Sequence, residues 1–299
     1  MDIEVRISDL NQLNDVISYG IDCDIIGVGD EGCVYKLPSP DDLPDIVDKV
    51  EETGLEFRLV TPFVPQSHFK YVFSLIQKLS ELKNHVNIVI NDYGLLHASQ
   101  RLNIRNPHFI IGHFLSATHE ASPWFELMVS QESEFVKNIC AQNFLNDSHL
   151  NTFLKRLGVV GIEAECLPNE VKSLQEIHER GLYIGLLLDF VPVTFSRVCH
   201  TSRFYRLHPP KCRTKCNSPL VLQITHYREW WIPRAEFKEI SYELRQRIPK
   251  LYVYGNIVYR KSPIKLNKKL DFVDYVILDV KFYSLKELSE EIRNIRKLT

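Results

Sequence analysis

Residues 159–189, VVGIEAECLPNEVKSLQEIHERGLYIGLLLD, read as a strand, a helix and a second strand. The strand at 159–165 is mostly apolar, the helix covers 169–180, and 183–189 (YIGLLLD) is the most apolar strand of the chain. Strands apolar along most of their length, separated by amphipathic helices, are what a buried parallel sheet requires. The alternation extends outwards. Upstream, strands are expected at 3–7, 24–28, 56–60, 86–90 and 109–111, with helices at 10–18, 41–52, 68–83 and 93–100. Within 68–83, Val72, Phe73, Leu75, Ile76 and Leu79 mark one helical face. A mostly helical excursion occupies about 120–156. Downstream come 220–225, a helix over 234–247, 251–254, 275–278 and a charged closing helix at 284–297. This α/β pattern over residues 1–299 fits one (β/α)8 TIM-type barrel domain with a helical insertion; a doubly wound open sheet is the alternative.

The strand at 183–189 leads into a basic, cysteine-rich loop at 191–216, VPVTFSRVCHTSRFYRLHPPKCRTKC. Cys199, Cys212 and Cys216 stand at C-x12-C-x3-C spacing, and no Asp or Glu falls from 197 to 216. Thiolates are the ligands of soft metals and iron–sulfur clusters, and neighbouring cations favour the thiolate. A cluster takes four. In a barrel the reactive residues lie in the loops after the strands. Cys33 follows the strand at 24–28 in GVGDEGCVYK, so it emerges on the same face and supplies the fourth thiol. Two other readings stay open: a structural zinc ion, although zinc cysteines usually come in close pairs, and unliganded buried thiols. Cys23, Cys140 and Cys166 are read as packing thiols.

The formal charge of −2 excludes a surface built throughout for nucleic acid, so the basic loop is a local feature. The N-terminus MDIEVRISDL carries no signal-peptide pattern, and no apolar stretch approaches the ~20 residues of a membrane span. With seven cysteines, an odd number, the expectation is a cytoplasmic protein with ligand thiols rather than disulfides.

The passage from Pro192 to Cys216 resembles the collagenase-like unclassified-peptidase family (peptidase family U), in particular its UbiU/UbiV branch of oxygen-independent ubiquinone hydroxylation. The matching residues are Pro192, Phe195, Ser196, Cys199, Thr201 and Arg203, then Cys212 and Cys216, with Gly29, Glu31 and Cys33 upstream. Gly112 and His113 in GHFLSATH, and Pro168 and Glu170 in CLPNEV, resemble two further family segments. The resemblance covers most of 24–216 and, more faintly, 251–279. It implies a four-iron, four-sulfur cluster on Cys33, Cys199, Cys212 and Cys216. It also implies a cytoplasmic hydroxylase, or its obligate heterodimer partner from the same family. Relatives act on RNA nucleobases, so the implied substrate is an aromatic ring or a nucleobase, with prephenate as oxygen source. The chain departs from the branch in CVYKLPSPDD, which lacks the basic run after the first cysteine, and in Gly255-Asn256-Ile257, where the family's pair is reversed. The stretch 225–232 (THYREWWI) has no counterpart.

Other residues carry two readings each. His113 is a general acid or base at the barrel mouth, or a strand-end histidine held by backbone. Glu170 positions substrate or a proton, or is an exposed carboxylate at a helix N-terminus. Arg203 and Arg206 grip carboxylates or phosphates of a substrate, or offset cluster charge. Trp230 and Trp231 form a stacking surface, or a lid or subunit contact. Peptidase activity, as the family label suggests, and a non-catalytic electron-transfer scaffold are the rival functions. The chain shows neither G-x-S-x-G nor H-E-x-x-H, and GVGDEG lacks the dinucleotide pattern.

Overall fold

The computed structural model describes residues 1–82, 86–101, 107–212, 215–216, 218–228, 234 and 236–298. Its strands in chain order are β1 Asp2–Ile7, β2 Ile25–Gly29, β3 Glu56–Val60, β4 Val86–Ile90, β5 Pro107–Ile111, β6 Val159–Glu165, β7 Tyr183–Leu187, β8 Phe190–Phe195, β9 Leu220–Leu222, β10 His226–Tyr227, β11 Lys238–Glu239, β12 Leu251–Tyr254, β13 Ile257–Lys261 and β14 Tyr275–Asp279. The first seven and β14 close into a parallel barrel in the order β1-β14-β7-β6-β5-β4-β3-β2. The fold is therefore the (β/α)8 barrel that the alternation predicts. Its helices are α1 Leu10–Tyr19, α2 Leu43–Glu52, α3 Phe69–Leu82, α4 Tyr93–Arg101, α5 Phe125–Val129, α6 Glu134–Ala141, α7 Ser148–Arg156, α8 Glu170–Glu179, α9 His200–Phe204, α10 Tyr242–Arg247 and α11 Leu285–Arg296.

Local chemistry sets the helix ends. In α11 Ser284 and Glu287 form a reciprocal capping box, and α1 starts on the Asp9 carboxylate and stops at Gly20, whose φ is +69°. The apolar faces then do the packing: Leu43, Ile46, Val47 and Val50 of α2 and Val72, Leu75, Ile76 and Leu79 of α3 are all buried.

Period-two alternation along the strands divides two environments. Ile3, Val5 and Ile7 of β1 join the apolar layer under the helices. Glu4 and Arg6 are also buried, but in contact with Arg58 of β3, Glu163 of β6 and Glu31 of the loop after β2, which puts them inside the barrel. Glycines make that room. A Cβ at Gly27 would overlap the Glu4 carboxylate, and one at Gly185 would overlap the Tyr275 ring.

Two excursions leave the barrel. The helical one expected at 120–156 is present as α5, α6 and α7 between β5 and β6. The second runs from β7 to β14, and there the sequence expectations fail. The alternation places residues 220–225 and 251–254 in barrel units, but β9 and β12 belong to an antiparallel sheet of order β8-β13-β12-β9. The helix expected over 234–247 is the short strand β11 followed by α10 at Tyr242–Arg247. The chain pivots out of the barrel at Asp189, one of the few non-glycine residues with positive φ (+62°), a conformation that Asp tolerates. Trp230 and Trp231 lie outside the described residues. Among the described residues no helix is long and apolar enough to cross a membrane.

Candidate functional site

Cys33, Cys199, Cys212 and Cys216 line one cavity of about 650 Å³. Cys33 sits in the loop after β2, and Cys199 caps the short helix α9, its Sγ accepting from the Ser202 N–H at 3.3 Å. Cys212 and Cys216 are buried.

One hairpin tip joins these distant segments. Between β12 and β13 the chain turns at Gly255, whose φ of +63° suits a residue without a Cβ. On one side the tip holds the Cys199 loop. Ser196 N–H donates to Asn256 O at 3.0 Å, Asn256 Nδ2 donates to Ser196 O at 2.9 Å, and Thr201 N–H donates to Gly255 O at 3.0 Å. On its other side it presses on the Cys33 loop, where a Cβ at Gly32 would overlap Asn256 Oδ1. The Gly255-Asn256 tip is therefore the element that brings the two thiol loops together.

The thiols are not equivalent. Cys199 is drawn down to about 6 because Cys216 donates a hydrogen bond to it, against the opposing effect of burial and with help from Ser202. Cys216, the donor, is pushed up by the same bond and by burial. Burial raises Cys33 to about 12, with Asp30 adding to the effect. Cys23 and Cys166 are likewise pushed up to about 12 by burial, which fits inert packing thiols.

The cavity wall is cationic. Lys36, Arg197, Arg203 and Arg206 line it together with His68, His208, Tyr35 and Phe63, and among the described residues no Asp or Glu does. Both sequence-derived arginines are thus brought to the thiols.

His113 is placed elsewhere. It is buried beside the cavity rather than on its wall, with Nδ1 at 3.0 Å from Glu31 Oε1 and Nε2 without a partner. Glu31 in turn contacts Arg6, which also binds Glu4 at 2.8 Å and Glu163. Tyr275 donates to Glu163 at 3.2 Å, and Arg58 reaches Glu4 at 2.5 Å. Burial alone would raise the Glu31 carboxyl, but His113 and Arg6 hold it at about 2. Glu163 is raised to about 7, burial outweighing Arg6. Among the described residues, Glu31, His113 and Glu163 are the group whose donor atoms gather within 4.8 Å, as on a single metal ion. The Arg6 guanidinium, bound to both carboxylates, already fills the cation's place. This centre was missed in the sequence, although its signal is there: charges two apart inside apolar strands, Glu4 and Arg6 in DIEVRI and Glu163 and Glu165 in VVGIEAE.

Glu170 is not the exposed carboxylate considered above; it is fully buried. Its carboxyl lies near that of Glu165 and accepts from Asn143 Nδ2 at 2.7 Å. Burial lifts Glu165 to about 8 and Glu170 well above the usual carboxyl range. The residue that caps α8 is Glu120, whose carboxylate accepts from the Glu170 N–H at 2.8 Å. Arg260 of β13 donates to the Ala121 and Glu120 carbonyls at 2.9 and 2.8 Å, tying the helical excursion to the antiparallel sheet.

The chain matches no protein-family model and no curated protein.

Proposed function

We propose that the four thiols hold a four-iron, four-sulfur cluster, and that the protein is an oxygen-independent hydroxylase of an aromatic ring or nucleobase, or the cluster-bearing subunit of one. The observation that carries this reading is the convergence of Cys33, Cys199, Cys212 and Cys216 on one cation-lined cavity. The donor set fits a group larger than one ion. Zinc binds each thiolate at about 2.3 Å, which draws tetrahedral sulfurs to about 3.8 Å from one another. No three of these thiols gather within 4.8 Å.

When bound, such a cluster supplies electron transfer and an acidic iron centre. The chain's own residues do the rest. Arg203 and Arg206, with Arg197 beside them, hold the carboxylates of an anionic reactant through paired N–H donors; the resemblance implies prephenate as the oxygen donor. Tyr35 and Phe63 offer an aromatic wall. The Glu31–His113 contact adjoins the cavity through Glu31, the chain neighbour of Gly32, and is an acid–base pair close in sequence to Cys33. A related chain as heterodimer partner and a cytoplasmic location complete the proposal.

The test is iron and acid-labile sulfide per chain after anaerobic purification, with the visible spectrum, for the parent and Cys33→Ser. About four irons in the parent, falling sharply in the variant, is the expected outcome. Zinc without visible absorbance, or no metal after reconstitution, would remove the reading.

A further inference from the structure

The three arginines around the thiols face solvent, where water and salt weaken their influence. Lys36 is different: its side chain is only 11% exposed, and it lines the same cavity. Its ammonium lies 3.2 Å from Asp30 Oδ2 and 5.3 Å from the centre of the Tyr254 ring. Asp30 also accepts from the Gly32 N–H at 2.9 Å, which fixes it to the Cys33 loop. Behind the pair, buried Lys281 is bound to Asp279 at 2.6 Å and packs against Tyr254, Tyr259 and Phe282.

The pair is oriented. The Lys36 side chain lines the cavity with the four cysteines, whereas its partner Asp30 stands off that wall and is hydrogen-bonded to the Gly32 N–H beside Cys33. A buried charge acts through a lower effective dielectric than an exposed one at similar distance. The inner pair therefore governs the charge that the thiol site tolerates more than the outer arginines do.

We propose that Lys36 is a positioning residue of the thiol site, its ammonium favouring the more negative charge state of the cluster while Asp30 opposes it. This rests on the cluster reading above. A cation stabilises the reduced, more negative state and so raises the reduction potential; a carboxylate lowers it.

The experiment is spectroelectrochemical titration of the anaerobically reconstituted full chain, with iron content measured on every sample. Lys36→Gln shifts the potential down, Asp30→Asn shifts it up, and the double variant returns towards the parent. Lys36→Arg, which keeps the charge, stays at the parent value, and iron content is the same throughout. Potentials that do not move, or that move in one direction for both single variants, overturn the inference while leaving the cluster in place. A parent chain that takes up no iron–sulfur cluster removes both.

Discussion

Inside the barrel the charges around β1 touch opposite ones: Arg6 meets Glu4, Glu31 and Glu163, and Arg58 meets Glu4. Around the thiol cavity three arginines stand in solvent, and among the described residues no carboxylate lines the wall with them. The first arrangement is closed, because the chain satisfies its own charges. The second leaves cationic charge for something the chain does not itself supply. A buried ion network binds a fold to its own geometry, whereas an open cationic wall is free to engage a ligand. Mutations in the two regions therefore act on different properties.

The largest effect belongs to Arg6→Met. Removing the guanidinium leaves Glu163 without a cation and reduces Glu4 to Arg58 and Glu31 to His113, and uncompensated buried charge costs about 3–5 kcal/mol. Urea unfolding measures it. A loss under 1 kcal/mol would show that the interior charges are not closed on themselves. Gly185→Ala follows at about 1–3 kcal/mol, because its Cβ enters the space of the buried Tyr275 ring. An unchanged midpoint would mean that the ring has room to move.

These two residues mark where the sequence could and could not be read. The barrel was visible because β2 to β7 present apolar runs of strand length separated by helical faces, and both signals are local. Glu4 and Arg6 were visible as letters, but their meaning depends on Arg58, Glu31 and Glu163, which are distant in the chain. The β8-β13-β12-β9 sheet was lost for the same reason. Its pairing links residues 190–195 to 257–261 and 251–254 to 220–222, and short apolar runs look the same in either kind of sheet. For Glu170, helix position alone suggested exposure, whereas Asn143 and Glu120 from the excursion cover it. The cysteines fared better because their residue type limits the chemistry. Even so, the hairpin tip that joins Cys33 to Cys199 follows only from the fold.

The Glu165–Glu170 pair sharpens the comparison through pH. Burial raises both groups, Glu165 to about 8, so the folded chain keeps protons that an unfolded chain releases above about 4.5. Their contribution is full below about 4.5 and is lost as pH rises through about 8, at about 1.4 kcal/mol per pH unit for each retained proton. Glu31 works in the other direction. Held at about 2 by His113 and Arg6 in spite of burial, it contributes above 4.5 and loses that contribution on acidification towards 2. Glu170→Gln replaces a carboxyl that must stay protonated by an amide that is neutral at every pH. The decline in stability between pH 6 and pH 8 should then flatten by about 1.4 kcal/mol per unit. Equal slopes in chemical denaturation of parent and variant would mean that the pair holds no extra proton.

The smallest effect on stability is expected at the cavity. Arg203 and Arg206 are exposed and have no carboxylate partner on the cavity wall, so alanine at either should change unfolding by no more than about 0.5 kcal/mol. Ligand binding should respond instead. A paired guanidinium–carboxylate contact contributes about 1.4 kcal/mol or more, so affinity for a small dicarboxylate should fall about tenfold in each variant. The parent affinity should itself weaken with added salt, because these arginines are screened by solvent ions. Calorimetry of the full chain at two ionic strengths reads both quantities. Stability lost together with affinity would assign the arginines to the fold, as Arg6 is assigned. Stability retained with affinity lost would show that the open charge of the cavity is kept for a ligand.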